Sequence, residues 1–299
     1  MAAIRSGNVR SISESIVLLT TVAMLAFAAN SLLCRLALGQ GLIDAASFTT
    51  IRVISGAVML SLIVLPRWRA GDRSSADWRS IATLFIYMAF FSFAYLSLSA
   101  GTGALILFGA VQLTMFIVAL RGGEQFPIPS WAGLTLAIFG LVYLVSPGVT
   151  APDPLGAVLM AIAGIAWGFY SLLGRRVADP VEATAYNFIY SVPLVIITSI
   201  LFMGDFHGSP SGVVLAVASG AIASGLGYVI WYAALRGLTA TRAATVQLSV
   251  PVIAAFGGVI LISEQLTVRL LIASTATLGG VAMVLAQRTA QSPGTTSST

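Results

Sequence analysis

Tyr87, Phe91 and Tyr95 recur at every fourth position within a long apolar run, so on a helix they share one face. Tyr228, Trp231 and Tyr232 form a second such cluster, and a shift of 137 residues lays Phe91 on Tyr228 and Tyr95 on Tyr232. Two related aromatic walls would line one cavity; ordinary ring packing between helices is the alternative for any single residue. Trp167, Tyr170 and Tyr190, with Asn30, Ser31, Tyr186 and Asn187, add polar handles inside other apolar runs. Gln112 and Gln247 place an amide mid-run and need partners, either a ligand or a neighbouring helix. A pocket of aromatic faces, amides and hydroxyls suits a small amphiphile or zwitterion better than a multiply charged phosphate ester.

Charge inside the apolar runs is sparse. Arg52 is the one clear case, suited to a substrate carboxylate or, equally, to cavity water or helix-end carbonyls. Every acid falls at a run end or in a loop: Glu14, Asp44, Asp72, Asp77, Glu124, Asp153, Asp179, Glu182, Asp205 and Glu264. No mid-membrane carboxylate is therefore expected as a proton relay. No His-Glu-x-x-His motif occurs, and the single histidine, His207, is expected in a loop, so an intramembrane hydrolase has no base at depth. With one cysteine, Cys34, neither an internal disulfide nor a cysteine zinc site is possible. No catalytic residue, metal or cofactor is expected. Gly164 and Gly168 have the spacing of close helix approach, and Pro193 and Pro251 are packing or hinge positions whose freed carbonyls could also serve a ligand.

The solvent for these elements must be lipid. Of 299 residues 58% are hydrophobic and 8% charged, and the mean hydropathy is +0.98, too little polar surface to cover a soluble globule. The net charge of +5 comes from scattered arginines, with no lysine, which argues against nucleic acid as a partner. Apolar runs separated by charge, glycine and proline predict ten spans near 15 to 38, 43 to 65, 78 to 98, 102 to 120, 129 to 146, 155 to 175, 183 to 203, 211 to 235, 240 to 262 and 267 to 286. Residues 1–14 and 287–299 are expected as short terminal segments. Arg5, Arg10 and the triplet Ala26-Phe27-Ala28 have the outline of a signal peptide, but the apolar run continues to about Leu38, so a retained first span is expected.

Alternation assigns the sides. Arg5, Arg10, Arg67, Arg69, Arg73, Arg79, Arg121, Arg175, Arg176, Arg236, Arg242 and Arg288 fall on one side and Arg35 and Arg269 on the other. Twelve against two places both termini in the cytoplasm.

The chain also resembles itself. A shift of 140 lays Ser31-Leu32-Leu33-Cys34-Arg35 on Ser171-Leu172-Leu173-Gly174-Arg175, Glu124-Gln125 on Glu264-Gln265 and Gly140 on Gly280; a shift of 135 pairs Val111-Gln112-Leu113 with Val246-Gln247-Leu248. Residues 15–146 and 155–286 are thus expected to be two five-span repeats. An odd number of spans inverts the second copy, a device of transporters that open one central site to either side in turn.

The run from Ala243 through Val246-Gln247-Leu248-Ser249-Val250-Pro251, the turn Ser263-Glu264-Gln265-Leu266-Thr267 and the pair Gly279-Gly280 resemble the EamA family of the drug/metabolite transporter superfamily. The first half matches less well, having no proline at the position of Pro251, and glutamine follows each turn glutamate where the family often has lysine. With Trp167 in the sixth span, the chain looks most like bacterial amino-acid exporters of the YddG type. The resemblance implies an all-α, monomeric inner-membrane protein exporting amino acids, aromatic and other neutral ones included. A multidrug or organic-cation exporter is the rival reading, disfavoured by the missing intramembrane acid, and a membrane scaffold is the reading outside transport.

Overall fold

The structure, a computed structural model, describes residues 2–69, 77–175, 177–238 and 240–291. Asp72, Arg73 and Arg176, the side chains of Arg5, Arg10, Glu14, Arg67, Arg69 and Arg288, and the tail beyond Gln291 lie outside the described residues. The chain folds into helices α1 (Ala2–Gly39), α2 (Ala45–Arg69), α3 (Trp78–Ala94), α4 (Ala100–Arg121), α5 (Ile128–Val145), α6 (Pro154–Gly174), α7 (Pro180–Leu201), α8 (Pro210–Val217), α9 (Gly227–Leu235), α10 (Ala240–Gln247), α11 (Ser249–Ile262) and α12 (Val268–Gln291). Among the described residues the extended pairing is limited to one bridge, Ile43 with Gly208.

Among the described residues nine segments are long and apolar enough to cross a membrane, and α3 is a shorter apolar helix of 17 residues. Large apolar side chains such as Leu62, Phe139, Ile200 and Ile260 lie on the outer surface of the bundle, as lipid requires. This is a multi-pass, all-helical membrane protein. The expected spans correspond to these elements with local differences. The third ends at Ala94, where the Tyr95 amide bonds back to the carbonyls of Phe91 and Ser92 and a turn follows. The eighth runs from Pro210 to Leu235 but is wound as a π-helix over Ala218–Leu226, between α8 and α9. The ninth breaks at Leu248, between α10 and α11.

Helix starts explain where the acids went. Asp44, Asp77, Asp153 and Asp179 each accept a hydrogen bond from a backbone N–H in the first turn of α2, α3, α6 and α7, satisfying donors that have no partner within the helix. Pro154, Pro180 and Pro210 open their helices, where a missing N–H costs nothing.

Packing is pairwise and close. α5 lies along α12, α2 along α7, α3 and α4 along α6, α4 also against α11, and α1 against α11 and the eighth span. Small residues permit this approach: a Cβ on Gly164 would lie 2.6 Å from the Leu107 carbonyl oxygen, one on Gly168 2.9 Å from Thr114 Cβ, and one on Gly133 2.5 Å from the Gly280 oxygen. The α2–α7 pair is tied near both ends, by Thr50 donating to the Val195 carbonyl at 2.9 Å and by Trp68 Nε1 donating to Glu182 at 3.0 Å.

Candidate functional site

A cavity of about 510 Å³ opens between the α6–α7 turn and the C-terminal end of α9. Gln112 and Met115 of α4, Trp167 and Tyr170 of α6, Tyr228, Trp231 and Tyr232 of the eighth span, and Gln247 at the end of α10 line it, with Arg175, Asp179 and Arg236 around the mouth. The glycine contacts of α6 with α4 set this wall: Gly164 and Gly168 flank Trp167 and press α6 onto the helix that carries Gln112. Deeper polar bonds order it further. Tyr170 donates to Thr184 at 3.2 Å and accepts from Asn187 at 3.3 Å, and the Tyr232 hydroxyl meets Thr184 at 3.3 Å.

The floor is aromatic. Trp167 packs on Tyr87 (4.8 Å between ring centres), Tyr170 (5.5 Å) and Tyr228 (5.3 Å). Beneath it lies a chamber of about 20 Å³ bounded by Phe27, Asn30, Ser31, Tyr87, Phe91, Leu107, Phe108, Trp167 and Tyr228. Asn30 donates toward the Tyr87 hydroxyl at 3.5 Å and accepts from Ser219, in the π-helical segment, at 2.6 Å. Arg52 of α2 stands against the same rings, donating to the Tyr87 hydroxyl at 3.2 Å. It is fully buried.

The far end is closed. Arg35, near the end of α1, donates from Nε to Glu264 at 3.0 Å and from Nη1 to the carbonyls of Tyr95 and Leu96. Glu264 also accepts from the Ala100 amide at 2.9 Å, at the N-terminus of α4. Four helix ends thus meet on one ion pair. Beside them Ser209 donates to the Leu42 carbonyl and Asp44 accepts from the His207 amide, joining the α1–α2 turn to the loop before α8. The His207 ring is exposed in that loop.

The structure brings together most of the residues singled out by their type. Gln112, Trp167, Tyr170, Tyr228, Trp231, Tyr232 and Gln247 line the open cavity, and Asn30, Tyr87 and Phe91 lie under its floor. Two are corrected. Tyr95 is wholly buried at the closed end, where its hydroxyl donates to the Ala100 carbonyl; α3 stops one residue before it, taking it off the cavity face. Tyr190 is half-exposed and stacks on Tyr186 along the outside of α7, whereas Asn187 and Ser191 face the interior. Pro193 lies inside α7 as expected, but Pro251 falls in the first turn of α11, after the break at Leu248, where its missing N–H disrupts no helical bond. Reading by residue type misses Thr184, Met115 and Ser219, whose small or apolar side chains carry no local signal.

The EamA-like transporter family matches residues 154–286. An uncharacterized protein of Pseudomonas aeruginosa is 48% identical over 275 residues, covering 92% of this chain and 96% of its own. A probable amino-acid metabolite efflux pump of Salmonella typhimurium is 25% identical over 201 residues, 60% of this chain and 67% of that one. A solved crystal structure with 22% identity superposes with a TM-score of 0.67 over 94% of this chain and 99% of that one, a likeness of fold. By these likenesses, and in keeping with the nine apolar membrane-length segments among its described residues, the chain belongs to the EamA-like transporter family of the drug/metabolite transporter superfamily.

Proposed function

We propose that this protein exports small organic solutes, amino acids including aromatic and other neutral ones, across a bacterial inner membrane by alternating access, as a monomer with both termini in the cytoplasm. The observation that carries the reading is the cavity of about 510 Å³, walled by aromatic faces and two amides, open at the end bearing Arg175 and Arg236 and shut at the end bearing Arg35 and Glu264. In this reading it is an inward-open conformation, since the positive-inside rule puts the arginine-rich end in the cytoplasm.

Two inverted five-span halves fit the packing. Exchanging each span with the one five further along turns the contact of α1 with the eighth span into that of α6 with α3, turns α1 on α11 into α6 on α4, and returns α2–α7, α4–α11 and α5–α12 to themselves. Such a two-fold arrangement allows one half to adopt the other's conformation and so move the opening to the opposite side. The 140-residue offset carries Arg35 to Arg175 and Glu264 to Glu124, and Arg175 and Glu124 line one small pocket of about 150 Å³ beside the open cavity. Closing that pocket is the step that shuts the inner end. The name of the Salmonella relative supports an amino acid as cargo and efflux as direction.

A thermal-stability screen of the purified protein tests the cargo. Neutral amino acids raise the melting temperature by mass action, and the shift is lost in Trp167→Ala and Gln247→Ala. Stabilisation by organic cations alone would favour the multidrug reading; indifference to every solute would favour a scaffold.

A further inference from the structure

Arg52 stands in the second turn of α2, roughly 10 Å of helix from its start, and is 0% exposed. Its guanidinium carbon lies 4.7 Å from the ring centre of Phe91 and 5.5 Å from that of Tyr87, and Nη2 donates to the Tyr87 hydroxyl. Ring faces and one phenol offset part of the lost hydration. Nε and Nη1, however, are buried without any hydrogen-bond partner.

Asp44, at the start of the same span, and Glu264 are committed elsewhere. Asp44, just before the first residue of α2, caps that helix and holds the His207 amide; Glu264 is held by Arg35 and Ala100. Among the described residues no carboxylate reaches Arg52. The Tyr228 hydroxyl, which belongs to both the open cavity and the chamber under its floor, is likewise buried without a partner. One buried cation and one buried hydroxyl, from opposite halves of the chain, thus lie at the stacked rings of Tyr87, Trp167 and Tyr228 with unused hydrogen-bonding capacity.

We propose that Arg52, with the Tyr228 hydroxyl, is the subsite that takes the anionic group of the cargo, and that the cargo is therefore a carboxylate-bearing solute. This rests on the transport reading and narrows it. A monocarboxylate balances the single fixed charge, accepts from the guanidinium in the paired geometry that Arg favours, and leaves the rest of the solute against Trp167 and Tyr228. The chamber now holds about the volume of one water molecule, so the Trp167–Tyr228 stack must part before a carboxylate passes. Relief of the unmatched charge then favours the occupied, closed form over the empty one, which couples cargo binding to the change of access.

Proteoliposomes that take up labelled phenylalanine test this with the unaltered protein. Unlabelled 3-phenylpropionate, which keeps the carboxylate, competes; phenylalaninamide and 2-phenylethylamine, which lack it, compete at least about tenfold more weakly. Equal competition by the amide overturns the subsite while leaving the transport reading intact. Absence of phenylalanine movement overturns both. The Arg52→Met variant supplies a second readout: the unliganded protein keeps or raises its melting temperature, because an unmatched buried charge is gone, and phenylalanine no longer shifts it. A variant that melts lower yet moves phenylalanine at the unaltered rate would assign Arg52 to structure alone.

Discussion

Arg35 Nε donates to Glu264 Oε1 at 3.0 Å across 229 residues of sequence, joining the end of α1 to the turn that precedes α12. The pair is partly exposed, so its worth is modest, about 1 kcal/mol after solvent screening; what it controls is the meeting of α1, α3, α4 and α11 at one end of the bundle. Cys34, next to it in sequence and wholly buried, is a built-in reporter of whether that end is open. Glu264→Gln is expected to speed labelling of Cys34 by a small maleimide by about fivefold to tenfold, and the exchange Arg35→Glu with Glu264→Arg to restore protection. Labelling at the unaltered rate in Glu264→Gln would mean that the pair does not close this end.

The opposite end should close through the symmetry-related pair. With Cys34 replaced by Ala, a protein carrying Glu124→Cys and Arg175→Cys, treated with copper phenanthroline and oxygen as oxidant, is expected to form an internal disulfide faster when Glu264→Gln is added, because opening one end closes the other. Gel mobility before and after reduction reads this. Cross-linking that ignores the state of Glu264 would separate the two ends.

Trp167 is the hub of the floor, in ring contact with Tyr87, Tyr170 and Tyr228. Trp167→Ala is expected to weaken solute affinity by about 2 kcal/mol, some thirtyfold, as loss of a central aromatic anchor does. Tyr190→Ala, on the outer face, should change affinity by less than about 0.5 kcal/mol. Equal effects in a binding titration would contradict the assignment of cavity and exterior.

Gly164 has no room for a side chain against the Leu107 carbonyl. Gly164→Val is expected to destabilise the protein by about 2 kcal/mol or more through forced separation of α4 and α6, seen as a lower melting temperature. Gly279→Ala, where nothing lies within 4 Å of the added carbon, should melt like the unaltered protein.

What is legible in the sequence is what repeats locally. Ten apolar runs, the four-residue spacing of Tyr87 and Phe91, and the small residues at Gly164 and Gly168 each announce themselves within one helix, and the helices follow them. Tyr190 shows the limit: Tyr186, Asn187 and Tyr190 fall within five residues, yet Asn187 faces inward and both tyrosines lie on another side, a phase that only the packing of α7 on α2 fixes. The Arg35–Glu264 pair is long-range and leaves no periodic trace, although the offset that relates Arg35 to Arg175 and Glu124 to Glu264 holds both partners. The π-helical turns at Ala218–Leu226 likewise follow from tertiary contact, where Gly220 passes against the Arg52 backbone.

As an exporter this protein moves an amino acid through the cavity floored by Trp167, in the function proposed above. Exchange of labelled phenylalanine into proteoliposomes preloaded with the unlabelled amino acid measures it without assuming a driving ion. Saturable uptake is expected that exceeds protein-free vesicles and falls by at least about tenfold in Trp167→Ala. Uptake no faster than in protein-free vesicles, for phenylalanine and for every other neutral amino acid tried, would contradict it.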